Sequence, residues 1–231
     1  MPIIGISRGI YLVGGQQLSH PLDANVYLIL RDRSRGVLVD SGIGLGYENV
    51  LRNILELGVI PSKNIEYVVL THCHARHSGG ASKLYYRIGL KTIAHEPDST
   101  YIRIGDEEKT LARKYGLHYS PSPITVNLRR SVETMSINGV YFELIHTPGH
   151  TLGSLSIYFE LNGRKIMIIG DALGPLSRKW DSDEKLWRKS LEKIFSYDFE
   201  LLLTGHDYIR NGGKAIIEKA LELGPVWIKN F

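Results

Sequence analysis

One short pattern occurs twice in this chain of 231 residues, and it constrains the fold more than any other feature. In the first half, an apolar strand runs into Asp40, a glycine-rich loop and a helix, and a second apolar strand then ends at Thr71. The same order leads from Asp171 to Thr204, with a spacing of 33 residues against 31. Two similar α/β halves stacked sheet to sheet, with helices over their outer faces, would explain the repetition. The sequence therefore predicts an α/β protein with a four-layer αβ/βα sandwich.

Short apolar stretches alternate with helical patterns along the whole chain. Their length, composition and flanking turn residues predict strands at Ile10–Val13, Val26–Leu30, Val37–Val39, Tyr67–Leu70, Lys91–Ala94, Tyr141–His146, Leu155–Phe159, Lys165–Ile169 and Leu201–Leu203. Helices are predicted at Tyr47–Leu57, Ala81–Ile88, Asp106–Tyr115, Asp183–Phe195 and Lys214–Leu223. No linker-like or low-complexity stretch divides the chain, so we expect a single domain over residues 1–231.

Composition excludes several classes of function. The net charge of +4, from 28 basic and 24 acidic residues, is too mild to indicate nucleic-acid binding. No run approaches the ~18 apolar residues of a membrane span, and the N-terminal segment lacks a signal-peptide pattern. The single cysteine, Cys73, excludes both an internal disulfide framework and a four-thiolate zinc site. We expect a cytoplasmic protein without membrane or nucleic-acid partners. Its scarce glutamine and cysteine hint at a thermophilic source, and its oligomeric state is left open.

The densest chemical signal is a run of histidines directly after the strand that ends at Leu70. His72, His74 and His77 place three imidazoles within six residues, which is more than capping of the following helix requires. Neutral imidazole is a common ligand of zinc and other first-row metals. His72 and His74 are two apart in extended chain and point the same way, whereas Cys73 between them is expected to face the core.

Three further polar residues follow other strands. His150 lies in a turn after the strand that ends at His146, Asp171 ends a strand, and His206 follows another. Each alone could be an ordinary turn or capping residue. Together, five histidines and one carboxylate at strand ends match a mono- or binuclear metal site, so we expect all six to converge in one pocket.

Several short motifs resemble those of the metallo-β-lactamase superfamily, and they are most similar to the motifs of its glyoxalase II and lactonase branches. The segments that carry the resemblance are Leu38-Val39-Asp40-Ser41-Gly42, His72-Cys73-His74-Ala75-Arg76-His77, Thr147-Pro148-Gly149-His150-Thr151-Leu152-Gly153-Ser154, Gly170-Asp171 and Thr204-Gly205-His206. The resemblance implies the αβ/βα fold and one or two zinc ions. It assigns His72, His74 and His150 to a first metal and Asp171 to a bridge. His77 and His206 then serve a second metal, and Asp171 and His206 are the implied catalytic residues.

One position departs from the family. The family motif is His-x-His-x-Asp-His, and its aspartate falls at Arg76 here. A guanidinium has no lone pair and stays protonated, so it cannot replace that ligand. At about 5 Å from a divalent ion it would be repelled by several kcal/mol at an effective dielectric of about 20. We therefore expect Arg76 to turn away from the second site or to leave that site empty.

Substrate contacts are predicted from two polar segments. Residues 99–131 do not look like core and could either cover the metal site or form a surface excursion. From this segment Tyr115 and Tyr119 are candidate substrate-binding residues. Arg178, in the loop after Asp171, is a third candidate because a cation there would suit an anionic substrate.

The leading hypothesis is a metal-dependent hydrolase, with zinc as its metal, that acts on a small-molecule ester, lactone or thioester through metal-bound hydroxide. The first alternative is a mononuclear iron enzyme resembling persulfide dioxygenase, with His72, His150 and Asp171 as its triad. The second is a degenerate member that binds metal or ligand with little turnover because of Arg76. Metal analysis would discriminate among them: about two zinc per chain, one iron, or none.

Overall fold

Two β-sheets lie face to face in the computed structural model, which describes residues 3–32, 35–209 and 212–228. The first sheet has seven strands in chain order: β1 (Ile4–Ser7), β2 (Ile10–Gly14), β3 (Val26–Leu30), β4 (Gly36–Val39), β5 (Ile65–Val69), β6 (Lys91–His95) and β7 (Val126–Leu128). The second has six, in the order β13 (Tyr208–Ile209), β12 (Leu201–Leu203), β11 (Arg164–Ile168), β10 (Leu155–Leu161), β9 (Val140–His146) and β8 (Val132–Ile137).

Both sheets are mixed, and the repeated sequence pattern corresponds to a parallel strand pair in each. In the first sheet β4 pairs in parallel with β5, and in the second β11 pairs in parallel with β12. The helical crossovers required by parallel pairing place both strand ends at the same edge of their sheet. That edge is where Asp40, Thr71, Asp171 and Thr204 lie.

The outer faces of the sheets are covered by helices. Their ranges are α1 (Tyr47–Glu56), α2 (Pro61–Asn64), α3 (Ala75–Ser78), α4 (Ala81–Lys83, continued by a π-helical turn over Leu84–Ile88), α5 (Asp98–Ile104), α6 (Glu184–Phe195) and α7 (Gly213–Leu223). Helix α1 buries Val50 and Ile54. Helix α6 is capped by Asp183, whose Oδ1 accepts a 2.8 Å hydrogen bond from the Leu186 N–H, and it buries Trp187 and Leu191.

Three apolar clusters establish the order of the layers. One lies between the sheets and contains Tyr27, Phe142 and Phe159. A second packs the outer face of the first sheet against α1, α4 and α5, and a third packs the second sheet against α6 and α7. The arrangement is helices, sheet, sheet, helices, which confirms the predicted αβ/βα sandwich. The predicted single domain of residues 1–231 stays a prediction, since residues 1–2, 33–34, 210–211 and 229–231 lie outside the described residues.

The segment between the two halves was predicted least well. A helix over Asp106–Tyr115 is wrong, because Asp106 Oδ1 accepts from the N–H groups of Glu108 and Lys109 and forms a turn. Leu111 then adopts φ +59°, and only a 3₁₀ turn over Arg113–Tyr115 follows. Residues 99–131 also contribute to the core, because α5 buries Ile102 and β7 closes the edge of the first sheet.

Strands β1, β7, β8 and β13 escaped the sequence analysis, since they are short or carry many exposed polar residues. None of the helices in the described part of the chain combines the length and apolar character that a membrane crossing needs.

Candidate metal centre

All six predicted ligands lie together at one edge of the sandwich. His72, His74 and His77 follow β5, and His150 follows β9. Asp171 and His206 follow β11 and β12, the parallel pair of the second sheet. Strand ends from both sheets meet here, so residues that are 134 positions apart in sequence become neighbours.

Three histidines form a first cluster. His72 Nε2 lies 3.1 Å from His74 Nδ1, and His150 Nε2 lies 3.0 Å from the same nitrogen. All three side chains are buried. Burial and the neighbouring imidazoles hold the pKa of His72 and of His74 well below the usual value, and burial also lowers the pKa of His150. The three rings are therefore neutral near pH 7.

The hydrogen bonds of the outer ring nitrogens determine which inner nitrogens carry lone pairs. His150 Nδ1 lies 2.8 Å from the carbonyl oxygen of Pro175, which can only accept, so His150 Nε2 has the lone pair. Thr71 Oγ1 donates to Asp40 Oδ2 at 2.9 Å and accepts from His72 Nδ1 at 3.1 Å, which leaves the His72 Nε2 lone pair free. Two lone pairs thus face His74 Nδ1 in a buried pocket. A divalent ion satisfies such a donor set, so the residues fit a metal.

Asp171 lies between this cluster and a second one, which is formed by His77 and His206. Its Oδ2 is 3.3 Å from His77 Nε2, 3.3 Å from His206 Nε2 and 3.9 Å from His150 Nε2. His72, His77 and Asp171 also form a group whose ligand atoms lie within 4.8 Å of one another. One carboxylate oxygen is therefore shared between two groups of imidazoles, which suits a bridging ligand.

Asp40 orients His77 through the ring nitrogen that faces away from Asp171. Its Oδ2 accepts a 2.7 Å hydrogen bond from His77 Nδ1, and its Oδ1 accepts from the Thr71 N–H at 2.8 Å. Burial opposes a charged His77, but the carboxylates of Asp171 and Asp40 prevail and raise its pKa to about 10. Although burial also disfavours a charged Asp171, His77 and His206 hold the pKa of this carboxyl well below its usual range. A metal at the second cluster would have to replace the His77 proton.

Close approach of the backbone requires glycine beside Asp171. A Cβ at Gly205 would lie 2.1 Å from Asp171 Oδ1 and 2.5 Å from His77 Cε1. The Gly205 N–H donates to the Gly170 carbonyl at 2.8 Å, which links the loops that carry Asp171 and His206. The Thr204-Gly205-His206 motif therefore has a steric cause.

Arg76 turns away from the second cluster, as one of the two predicted outcomes requires. Its Nε donates a 2.8 Å hydrogen bond to the Leu22 carbonyl, and its guanidinium hydrogen-bonds with the Tyr115 hydroxyl. Among the described residues, Asp171 forms ion pairs with histidines and not with Arg76. Arg76 thus does not block the donor atoms of Asp171, His77 and His206.

Asp98 is a site-building residue that the sequence analysis missed. Its carboxylate is buried and accepts hydrogen bonds from the Cys73 N–H at 2.8 Å, the Gly153 N–H at 2.8 Å and Thr151 Oγ1 at 2.7 Å. Cys73 lies between two ligands and Thr151 follows another, so Asp98 ties the two ligand loops together. An acidic residue in the first turn of α5 is a common helix feature, and nothing local in the sequence points to this role.

We expect Asp98→Ala to lower the free energy of unfolding of the metal-free protein by about 3 kcal/mol or more, because three buried donors lose a charged acceptor. Urea denaturation at pH 7 measures the change. The matched control is Asp198→Ala, since Asp198 is exposed and pairs with the exposed Lys165, and its midpoint should stay close to wild type. Equal midpoints for the two variants would contradict the role of Asp98.

A cleft of about 520 Å³ opens beside the first cluster. Trp180 forms its inner wall, with its ring centroid 5.1 Å from that of His74 and 5.7 Å from that of His150. The other lining residues are Glu107, Glu108, Leu111, Arg113, Lys114 and Lys179. A second cleft, of about 620 Å³, includes His206 and carries the amides of Gln16, Gln17 and Asn25. The first cleft thus adjoins the candidate metal centre through Trp180, and the second adjoins it through His206.

The three candidate substrate residues have different positions. Tyr115 is half-buried and contacts Arg76 near the centre. Tyr119 is wrong as a substrate residue at this centre, because it is buried in the core and its hydroxyl donates to Ser78 Oγ at 2.7 Å. Arg178 is also misplaced, since it is exposed and lines a separate groove with Glu184 and Trp227.

Cys73 faces away from the centre, as expected. Its thiol is buried and lies 3.4 Å from the Lys109 carbonyl oxygen. Burial raises the pKa of this thiol well above its usual value, so Cys73 is a neutral packing residue. His95 and His146 stack on each other at 3.8 Å, apart from the ligand cluster.

The fold and the site define a class of protein: an αβ/βα sandwich with histidines and an aspartate gathered at one edge as a metal centre. Comparison with known proteins agrees with this class. The pattern of the metallo-beta-lactamase superfamily matches residues 20–206. The chain belongs to this superfamily.

Individual relatives are distant. A protein of Methanocaldococcus jannaschii described as a probable metallo-hydrolase is 31% identical over 150 residues, which cover 65% of this chain and 67% of the relative. A hydroxyacylglutathione hydrolase of Haemophilus influenzae is 26% identical over 150 residues, covering 64% and 66%. A motif mutant of a metallo-beta-lactamase from Cronobacter sakazakii superposes with a TM-score of 0.81 at 20% identity over 96% of this chain and 95% of that one. The structural likeness shows the fold alone.

Proposed function

We propose that this protein is a divalent-metal-dependent hydrolase, with zinc as its metal, that cleaves an ester, lactone or thioester of a small molecule. The observation that carries the proposal is the convergence of His72 Nε2, His74 Nδ1 and His150 Nε2 beside the Asp171 carboxylate. Three imidazoles with an open position are typical of catalytic zinc. A divalent ion held here supplies Lewis acidity, which lowers the pKa of water and polarises a carbonyl group.

The chain's own residues divide the remaining tasks. Asp171 supplies negative charge between the two clusters. His206 is about one-third exposed and lies 3.3 Å from Asp171 Oδ2, so its Nε2 can exchange a proton between the centre and solvent. Because Arg76 occupies the position of the family's aspartate, proton transfer falls to Asp171 and His206. Trp180 shields the His74 side of the centre from water and forms the wall against which a substrate would pack.

A three-histidine donor set favours zinc over iron. The iron alternative uses a triad of His72, His150 and Asp171 and leaves His74 without a role. In the structure His74 Nδ1 lies within 3.1 Å of both other histidines, which makes it an integral donor.

Metal reconstitution tests the proposal. The purified protein is stripped with a chelator and reloaded with zinc or with ferrous iron under anaerobic conditions. Bound metal is then measured, together with hydrolysis of a panel of esters, lactones and thioesters. The name of the Haemophilus relative motivates the inclusion of a hydroxyacylglutathione in the panel. We expect at least one zinc per chain and hydrolysis that disappears on stripping and returns with zinc.

Two histidine variants supply the control. His74→Ala should lose both metal and hydrolysis, whereas His118→Ala should keep both, because the His118 side chain is 81% exposed and pairs with Glu107, which is not a candidate ligand. Oxygen consumption with one iron per chain would favour the oxygenase instead. Failure to bind either metal would favour the degenerate member.

A further inference from the structure

We propose that Arg76, together with Lys114, binds an oxyanion group of the substrate, a carboxylate or a phosphate, beside the metal centre. This inference deepens the proposed function and rests on it only for the reaction, not for the binding of the anion. The residue that cannot serve as a metal ligand is thereby assigned a positive role in substrate selection.

Arg76 is held in a defined position rather than extended into solvent. It is half-buried and lies on α3, between the ligands His74 and His77. Its Nε donates to the Leu22 carbonyl at 2.8 Å, and its own carbonyl accepts from the Ala24 N–H at 3.0 Å. Because this bond uses Nε, the two terminal nitrogens of the guanidinium can make further hydrogen bonds. Their N–H groups form the fork that binds an oxyanion.

The 3₁₀ turn over Arg113–Tyr115 brings a second cation to the same place. The Tyr115 hydroxyl hydrogen-bonds with Arg76. The negative charge of Asp171 is near enough to contribute to the raised pKa of this hydroxyl, which is due mainly to burial. The Lys114 ammonium lies 5.7 Å from the Tyr115 ring centroid and lines the cleft beside Trp180. Burial and the nearby Arg76 lower the pKa of Lys114. The charge of Lys114 in turn contributes to the lowered pKa of His74. Lys114 therefore lines the cleft, and Arg76 lies near it beside the ligands His74 and His77.

Nearby carboxylates have partners of their own, and Asp23 in addition interacts electrostatically with Arg76. Glu107 pairs with His118 at 2.6 Å, and Glu108 pairs with Arg113 at 3.5 Å. Asp23 accepts from Ser19 and, at 2.7 Å, from the Ile43 N–H. Within residues 3–32, 35–209 and 212–228, no carboxylate forms an ion pair with the Arg76 guanidinium. Two positive charges near one another beside a cleft favour a bound anion.

A competing explanation assigns Arg76 no function except to vacate the second metal site. The two explanations differ in one measurable respect. If Arg76 only vacates the site, replacing it by a neutral residue should leave anion binding unchanged. If Arg76 binds the substrate, the same replacement should lower the affinity for anions and raise KM for anionic substrates more than for neutral ones.

Isothermal titration of the zinc-loaded protein with succinate and, separately, with inorganic phosphate tests this difference. The variants are Arg76→Gln, Arg76→Lys and Lys114→Gln. Arg87→Gln is the matched control, because Arg87 is an exposed arginine that pairs with Glu48 on α1. We expect Arg76→Gln to weaken the preferred anion by at least about tenfold, with a smaller loss in Arg76→Lys and Lys114→Gln and none in Arg87→Gln. The stronger of the two anions identifies the group as a carboxylate or a phosphate.

Kinetics supply a second readout where hydrolysis is found. For a substrate that carries the preferred anionic group, Arg76→Gln should raise KM with little change in kcat, while a neutral ester should be unaffected. Unchanged affinity of Arg76→Gln for both succinate and phosphate would overturn the inference. Arg76-dependent anion binding without any hydrolysis would instead overturn the proposed function and leave the anion site standing.

Discussion

Replacing Asp171 with alanine is expected to remove most of the bound metal and to lower hydrolysis on the order of 10³-fold. Asp171 Oδ2 lies within 3.9 Å of three histidine nitrogens, and in the described residues it is the carboxylate of the candidate metal groups. Neutral imidazoles cannot supply its negative charge. Without it, His77 also loses the partner that contributes most to its raised pKa.

Cys73→Ala is the control for this prediction. Cys73 is as close to the ligands in sequence as a residue can be, but its thiol packs against the Lys109 carbonyl. We expect a loss of about 1 kcal/mol in the free energy of unfolding and no change in metal content. Metal analysis by mass spectrometry after dialysis compares the two variants, and circular dichroism verifies that both are folded. Equal metal loss in the two would show that the ligand assignment is wrong.

Arg76→Asp is expected to strengthen binding of a second divalent ion by at least about tenfold. The change restores the family motif, removes one positive charge and adds one negative charge beside Asp171, His77 and His206. At about 5 Å and an effective dielectric of about 20, each unit charge contributes several kcal/mol toward a divalent ion. This is an upper bound, because Arg76 points toward Leu22 and is partly screened by solvent.

Zinc titration measures this effect as a rise from about one toward two equivalents per chain. Hydrolysis of a neutral lactone should increase with it, whereas hydrolysis of an anionic substrate should fall because the oxyanion site is lost. Arg76→Gln separates the two contributions, since it removes the charge without adding a ligand. If the wild type already holds two tight ions, or if Arg76→Asp gains no metal, then Arg76 is not what limits the second site.

Local sequence carried enough information to predict the architecture and the six candidate ligands. Most strands and helices could be predicted from short apolar stretches and the turn residues that flank them. The two parallel strand pairs then place their carboxyl ends at one edge of each sheet. Each ligand therefore occupies a position that a few neighbouring residues specify. The departure at Arg76 could be recognised for the same reason, because a single changed letter stands out in a short motif.

The environment of these residues depended on contacts between distant segments. Whether Arg76 faces the ion or Leu22, and whether Tyr119 faces a substrate or Ser78, is decided by side-chain packing across the chain. Asp98 acquires its role only because α5 meets both ligand loops. Composition and periodicity describe which face of an element is buried, whereas these orientations follow from three-dimensional packing and hydrogen bonding. The sequence by itself thus determined the fold and the set of candidate ligands, and only the tertiary structure decided how they are supported, oriented and approached.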